Sequence, residues 1–337
     1  MKIKKLVPWE ADGIPLDRFL TTLFPEAHIS ALRWLIRDGR VSVDGRTTLR
    51  KLNLRPRALV EVKVPEGEDL RARREPPRPV PRVLYADEAC LVVDKPAGVP
   101  VIPERFRDVE TLRELLEGEE GLRVVHRLDR DTSGCLLLAR NREAQRILTE
   151  QFRERDVEKV YLALVRGRFP RGGVVEVEHA IGPDMRHRGR MRVVPREEIE
   201  KHPRRPHKEA STRLEGREQF RGYALVEARP RTGRTHQVRV HLASLGLPLV
   251  GDVLYSPGVE RGLFLSEFKA GYKPKPGREE RPILGRLALH ARYIGFRSPA
   301  TGETVRVEAE LPEDFRRALA KLRRFAGAGG FRDGEDL

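Results

Sequence analysis

Apolar residues recur at two periods along the chain, and the changes of period divide it. Leu16, Phe19, Leu20 and Leu23 follow the i, i+3, i+4, i+7 spacing of an amphipathic helix. A second helical face, Leu32, Leu35 and Ile36, runs through ALRWLIRDG, with Ser30 as its expected N-cap and Gly39 as its stop. The period then drops to two. Val41 and Val43 alternate up to the tight-turn pair Asp44-Gly45, and Val60, Val62 and Val64 alternate in ALVEVKVP. Residues 12–67 thus predict a small α/β unit with Arg33 and Arg37 on the polar helix face and Arg40 just past its end.

Residues 68–82 contain the Pro/Arg-rich run RARREPPRPVPR and predict an extended linker. From 83 to 325 strand-like and helix-like segments alternate, and the Gly-rich residues 326–337 predict a frayed tail. CLVVDKPAGVPV, 90–101, predicts a buried strand and a turn, with Asp94-Lys95 as a surface pair at the strand end. In LPEDFRRALAKLRRF, Pro312 suits the first helical position and Phe315, Leu319 and Leu322 form a buried face. Residues 183–209 and 257–285 predict loops or small insertions.

Charge sharpens this outline. The 337 residues hold 66 Lys and Arg against 51 Asp and Glu, a net +15 that favours a polyanionic partner, most simply nucleic acid. Cys90 and Cys135 are too few for a disulfide framework or a Cys-based zinc site. No apolar run approaches the roughly 18 residues of a membrane helix, and the lysine-bearing start has no signal-peptide core, so a soluble cytoplasmic chain is expected. There is no P-loop, no GxGxxG after a strand and no HExxH, so neither cofactor nor metal is expected.

The densest chemistry lies in VVHRLDRDTSGCLLLAR, 124–140, where a polar loop joins two apolar segments. Each residue also has a plain reading. Asp131, Thr132 and Ser133 can satisfy turn backbone, Gly134 can permit the turn, and His126 can be a structural histidine. Tyr161 can be a core residue of its strand, and Arg234 a surface or phosphate-binding arginine.

Taken whole, His126 to Gly134 resembles the HRLD-x-x-TSG signature of the RluA-type pseudouridine synthases. EKVYLALVRG (158–167), RPRTGRTHQVRVHLASLGLPLVGDVLY (229–255) and the strand with Leu289-His290-Ala291 resemble further segments of that family in order. The pattern from LDRFL to RVSVDG resembles an S-four-type RNA-binding domain, although Ile29 and Ala31 flank Ser30, and Asp44 stands where an Asn is commoner.

The resemblance implies an α+β fold with a mixed, largely antiparallel central sheet and flanking helices, beside the small N-terminal RNA-binding domain. It implies conversion of uridine to pseudouridine in RNA, with large-subunit ribosomal RNA as the expected substrate and transfer RNA as the alternative. Rivals are a non-catalytic RNA-binding assembly factor and a glycosidase that releases free base. Asp129 is the implied catalytic carboxylate, since an anion stabilises positive charge at C1′. Arg234 is the implied guanidinium beside it, and Tyr161 the ring that stacks on uracil. Leu289 would pack on the other uracil face, Arg127 would fill the space left by a flipped base, and His126 and Lys159 complete the pocket. Arg33, Arg37 and Arg40 would hold the RNA backbone, with Arg231 or Arg239 as a further contact. A monomer is expected.

Overall fold

The computed structural model describes residues 2–47, 52–71, 81–102, 111–116, 121–170, 173–187, 189–256, 262–272 and 280–327, without the side chains of Arg37, Arg113 and Glu114. Most of the expected linker (72–80) and of the expected tail (328–337) lies outside the described residues. The chain divides into two compact units, Met1–Pro79 and Val80–Leu337.

The first unit contains β1 (Lys2–Leu6), α1 (Leu16–Leu23), α2 (Ile29–Arg37), β2 (Val41–Val43), β3 (Arg46–Thr47) and β4 (Leu59–Lys63). Its sheet runs β1-β4-β2-β3, with every pair antiparallel. The alternating valines and both helical stripes meet in one core of Leu16, Leu20, Leu32, Leu35, Val41, Val60 and Val62. Asp44 and Gly45 both take positive φ (50° and 74°), the twist a two-residue hairpin needs.

Two details depart from the sequence reading. The unit begins at β1, not near residue 12, because KIKKL pairs along β4. His28 caps α2 in place of Ser30: its ring accepts the Ser30 N–H at 3.2 Å, and Ser30 is buried inside the helix.

The second unit runs β5 (Arg82–Ala86), β6 (Cys90–Lys95), α3 (Leu112–Leu115), β7 (Arg123–Val124), β8 (Ser133–Ala139), α4 (Arg142–Glu154), β9 (Glu158–Arg166), β10 (Val174–Val177), β11 (Ile181–Pro183), β12 (Met191–Val193) and α5 (Arg196–Lys201). It continues with β13 (Thr212–Phe220), β14 (Tyr223–Pro230), α6 (Gln237–Ser244), β15 (Leu289–Arg297), β16 (Thr304–Glu308) and α7 (Glu313–Phe325). Its ten-stranded sheet has the path β10-β13-β14-β9-β15-β8-β6-β5, with β16 on β15 and β7 on β8. Among the described residues only β8 and β15 pair in parallel, so the sheet is mixed and largely antiparallel as expected.

Alternation along the central strands decides what faces the site. On β9, Leu162 and Leu164 turn to the core beneath α7, while Tyr161, Ala163 and Val165 turn to the face carrying α6. Gly134 does more than permit a turn. At φ +108° it lies so close to β15 that an added Cβ would stand 2.2 Å from the Ala291 carbonyl oxygen.

The two expected insertions carry structure. Residues 183–209 hold β12 and α5. In the described parts of 257–285, Leu263, Phe268 and Leu284 are buried in the core with Phe315 and Leu319 of α7.

Candidate active site

The loop between β7 and β8 lies where strands end and backbone must be tied by other means. Gly98 N–H donates to the Arg130 carbonyl at 2.8 Å, and Thr132 N–H to the Asp129 carbonyl at 3.1 Å. Lys95 is fully buried rather than at the surface, and its Nζ donates to the carbonyls of Pro96, Val99 and Arg130 at 3.0, 2.9 and 2.9 Å. The ammonium thereby fixes the backbone beside Asp129. Burial pulls its pKa down to about 7, against the opposing pull of Asp131 and Asp129.

Asp129 opens into a cleft of about 480 Å³ lined by His126, Arg127, Thr132, Lys159, Tyr161, Arg234, His236, Arg239 and Leu289, among others. The guanidinium on Asp129 belongs to Arg239, not to Arg234. Arg239 Nη1 donates to Asp129 Oδ2 at 2.9 Å, while Nε and Nη2 grip Asp252 at 2.8 and 2.9 Å. Burial works against the Arg239 charge, but the two carboxylates outweigh it and hold its pKa above the ordinary arginine value. Arg239 is thus no open phosphate contact, and Arg231 is tied to Glu176. Arg234 lines the cleft, but its Nε donates to the Glu209 carbonyl at 2.9 Å, because the turn before α6 aims it toward that segment.

Tyr161 stands on the cleft face of β9, and burial followed by the nearby Asp129 charge pushes its phenol pKa up. Leu289, at the start of β15, is buried against the same cleft. His126 fits its plain reading. Its Nε2 accepts the Leu137 N–H at 3.0 Å, its ring stacks on Phe152, and burial pulls its pKa down to about 3. Lys159 Nζ lies over the same Phe152 ring and 3.4 Å from the Thr232 carbonyl, and burial lowers its pKa to about 8. Arg127 is exposed at the cleft.

Three side chains missed in the sequence complete the arrangement. Asp252 holds Arg239 from behind, His236 Nε2 stands 3.9 Å from Asp129 Oδ2, and Tyr255 bonds His236 and underlies the Arg239 guanidinium at 5.0 Å. A signal for the buried arginine was present. Val238, Val240 and Leu242 leave α6 without a continuous polar face, and a charged residue in such a helix is normally paired inside. Among the described residues, no group of three or more His, Cys, Asp or Glu is placed to hold a metal ion, and no helix is long and apolar enough to cross a membrane.

Residues 89–244 match the family model for RNA pseudouridylate synthase. The chain is 37% identical over 331 residues to the ribosomal large subunit pseudouridine synthase D of Xanthomonas campestris, covering 94% of this chain and 92% of that one. The chain belongs to the RNA pseudouridylate synthase family. It is 34% identical to the ribosomal large subunit pseudouridine synthase C of Escherichia coli, covering 95% and 97% of the two chains. The solved structure of Human RNA Pseudouridylate Synthase Domain Containing 1 is similar, with TM-score 0.52, 31% identity, and coverage of 71% of this chain and 86% of that one. The enzyme is therefore a pseudouridine synthase, an isomerase acting on RNA.

On the first unit, Arg33 differs from its expected role. Its Nε donates to the buried Asp17 of α1 at 3.0 Å, which joins the two helices rather than leaving a free cation. Arg40 bonds Asp38 at 2.6 Å and lies over the Trp34 ring, and the Arg37 side chain lies outside the described residues.

Proposed function

We propose that this synthase acts on uridines of large-subunit ribosomal RNA, with Asp129 as its catalytic carboxylate. One observation carries the role of Asp129. Its Oδ2 is held by Arg239, while Oδ1 accepts no hydrogen bond from any described residue and is free to meet a ligand in the cleft. A base within a stack cannot reach that oxygen, so the target nucleotide is flipped out, at a cost of a few kcal/mol, roughly that of one unstacked base. The exposed Arg127 occupies the space it leaves.

With the ribose beside Oδ1, the carboxylate stabilises the positive charge at C1′ as the N-glycosidic bond breaks. The uracil stays in the cleft between the Tyr161 ring and Leu289. It turns so that C5 forms the new bond to C1′; the proton on C5 leaves and N1, freed when its bond to C1′ breaks, takes one up, so the product is an isomer of the substrate. No oxidant or reductant is consumed.

The substrate assignment is supported by the names of two relatives that match nearly end to end, both ribosomal large subunit synthases. The first unit, whose order of helices and DG hairpin resembles an S-four-type domain, serves as an RNA-binding module, and the enzyme works in the cytoplasm as a monomer. The test is pseudouridine mapping of ribosomal and transfer RNA from the source organism with and without this gene. Loss of sites in large-subunit rRNA is expected; loss confined to transfer RNA overturns the substrate assignment. Asp129→Asn should reduce product to background while RNA affinity stays within about threefold, since phosphate contacts dominate binding. Full activity in that variant removes Asp129 from the chemistry.

A further inference from the structure

His236 faces Asp129 yet neither the cleavage nor the new C5–C1′ bond uses it. Its backbone takes φ +58° at the start of α6, a left-handed conformation that non-glycine residues adopt rarely and that tends to mark functional positions. Its Nδ1 lies 2.8 Å from Tyr255 Oη, which in turn accepts the backbone N–H of Met191 at 2.9 Å. With the Met191 donor on the phenol oxygen, the phenolic hydrogen is directed at Nδ1. Burial pushes the Tyr255 pKa up to about 12, so that hydrogen is retained at neutral pH.

Nδ1 is then the acceptor of the ring, and the imidazole proton sits on Nε2. The charged groups facing the ring are Asp129 and Asp252 on one side of the balance and Arg239 and Arg127 on the other. Burial leads the balance and keeps the imidazole neutral. Nε2–H points into the cleft 3.9 Å from Asp129 Oδ2, beyond hydrogen-bond reach, and no described residue accepts from it. This is a donor prepared for a ligand.

We propose that Nε2–H of His236 donates to the 2′-oxygen of the target ribose, and that Met191 N–H and Tyr255 fix the tautomer this requires. The inference rests on the reading that Asp129 meets the sugar at C1′. Two ribose oxygens lie next to that carbon. The ring oxygen O4′ shares the positive charge that develops at C1′ and is a poor acceptor there. The 2′-hydroxyl remains a good one, and it is also the group that separates RNA from DNA. His236 thereby positions the sugar against the carboxylate and selects ribose.

The test compares single-turnover rates on an RNA hairpin carrying the mapped uridine with those on the same hairpin bearing 2′-deoxyuridine there. The wild type, His236→Ala, His236→Gln and Tyr255→Phe are measured on both. The ribose-over-deoxy rate ratio carries the intrinsic effect of the 2′-hydroxyl on C1′ in every variant, and a neutral hydrogen bond adds about tenfold to it in the wild type. His236→Ala should slow the ribose hairpin about tenfold while leaving the deoxy hairpin nearly unchanged, so the ratio falls about tenfold. His236→Gln keeps an N–H donor and should recover part of the preference, and Tyr255→Phe should fall between. A preference that stays at the wild-type value in His236→Ala overturns the proposal, whatever the absolute rates.

A ¹⁵N spectrum of the His236 ring needs no RNA. Protonated Nε2 with unprotonated Nδ1 is expected at pH 7.5, and the opposite tautomer overturns the inference even in a fully active enzyme. If mapping instead assigns the target to transfer RNA, the ribosomal reading fails and the same rate comparison is run on that hairpin.

Discussion

Two buried cations stand behind the loop that carries Asp129, and they are held in opposite ways. Arg239, on α6, is enclosed by the carboxylates of Asp252 and Asp129, and its charge is stabilised. Lys95, at the end of β6, is enclosed by three carbonyl oxygens, which orient it but carry only partial charge, and burial brings its pKa to about 7. The Arg239 pair fixes the electrostatics of the acid; the Lys95 clamp fixes the position of the backbone that presents it. An arginine fork suits the first task because one planar group spans two carboxylates, and a compact ammonium suits the second because its three protons match three converging carbonyls.

Removing each cation in turn separates these tasks. Arg239→Leu leaves Asp252 buried without its partner, and should cost about 3–5 kcal/mol in denaturant unfolding. It should also slow single turnover at least roughly a hundredfold, the scale of a lost active-site charge contact. A rate within tenfold of wild type would reduce the clamp to a structural ion pair.

Lys95→Met should have a smaller effect at neutral pH and a distinctive one above it. The folded pKa of about 7 lies below the ordinary value of 10.5, so the unfolded chain binds more protons between those values. The wild type should therefore gain stability as pH rises through that window and lose it as pH falls toward 7, with the contribution between pH 7 and 9.5 at most about 3 kcal/mol. The variant should lack that gain. Parallel urea titrations at the two pH values decide it, and equal slopes in both proteins would show that Lys95 stays charged in the fold.

The smallest effect is expected from Arg234→Ala. Its side chain loses one bond to a backbone carbonyl, so stability should change by less than about 1 kcal/mol and turnover by less than about fivefold. A loss as large as that of Arg239→Leu would return Arg234 to the role its sequence suggested.

Arg234 and Arg239 also mark the boundary of what could be read along the chain. Both lie in one basic segment, and spacing alone does not say which turns inward. That depends on where α6 starts, which is set by Gln237: its amide bonds Thr232, Arg234 N–H, Ser211 and Thr212 and so fixes the turn. Lys95 reads as a surface residue along the chain for a similar reason. A lysine at a strand end is normally solvated, and only the loop returning 35 residues later supplies the Arg130 carbonyl that buries it. Arg33 looks like an open cation along the chain because its partner, Asp17, lies on the preceding helix.

The local sequence by itself determined the period of each element, the DG hairpin and the polar loop at Asp129. These follow from spacing, turn chemistry and strand alternation, which act over a few residues. Tertiary structure alone decided which guanidinium meets Asp129, which lysine is buried and which tautomer His236 holds. Each of those depends on partners brought together from distant segments, where burial sets the worth of a charge or a proton and no local pattern records it.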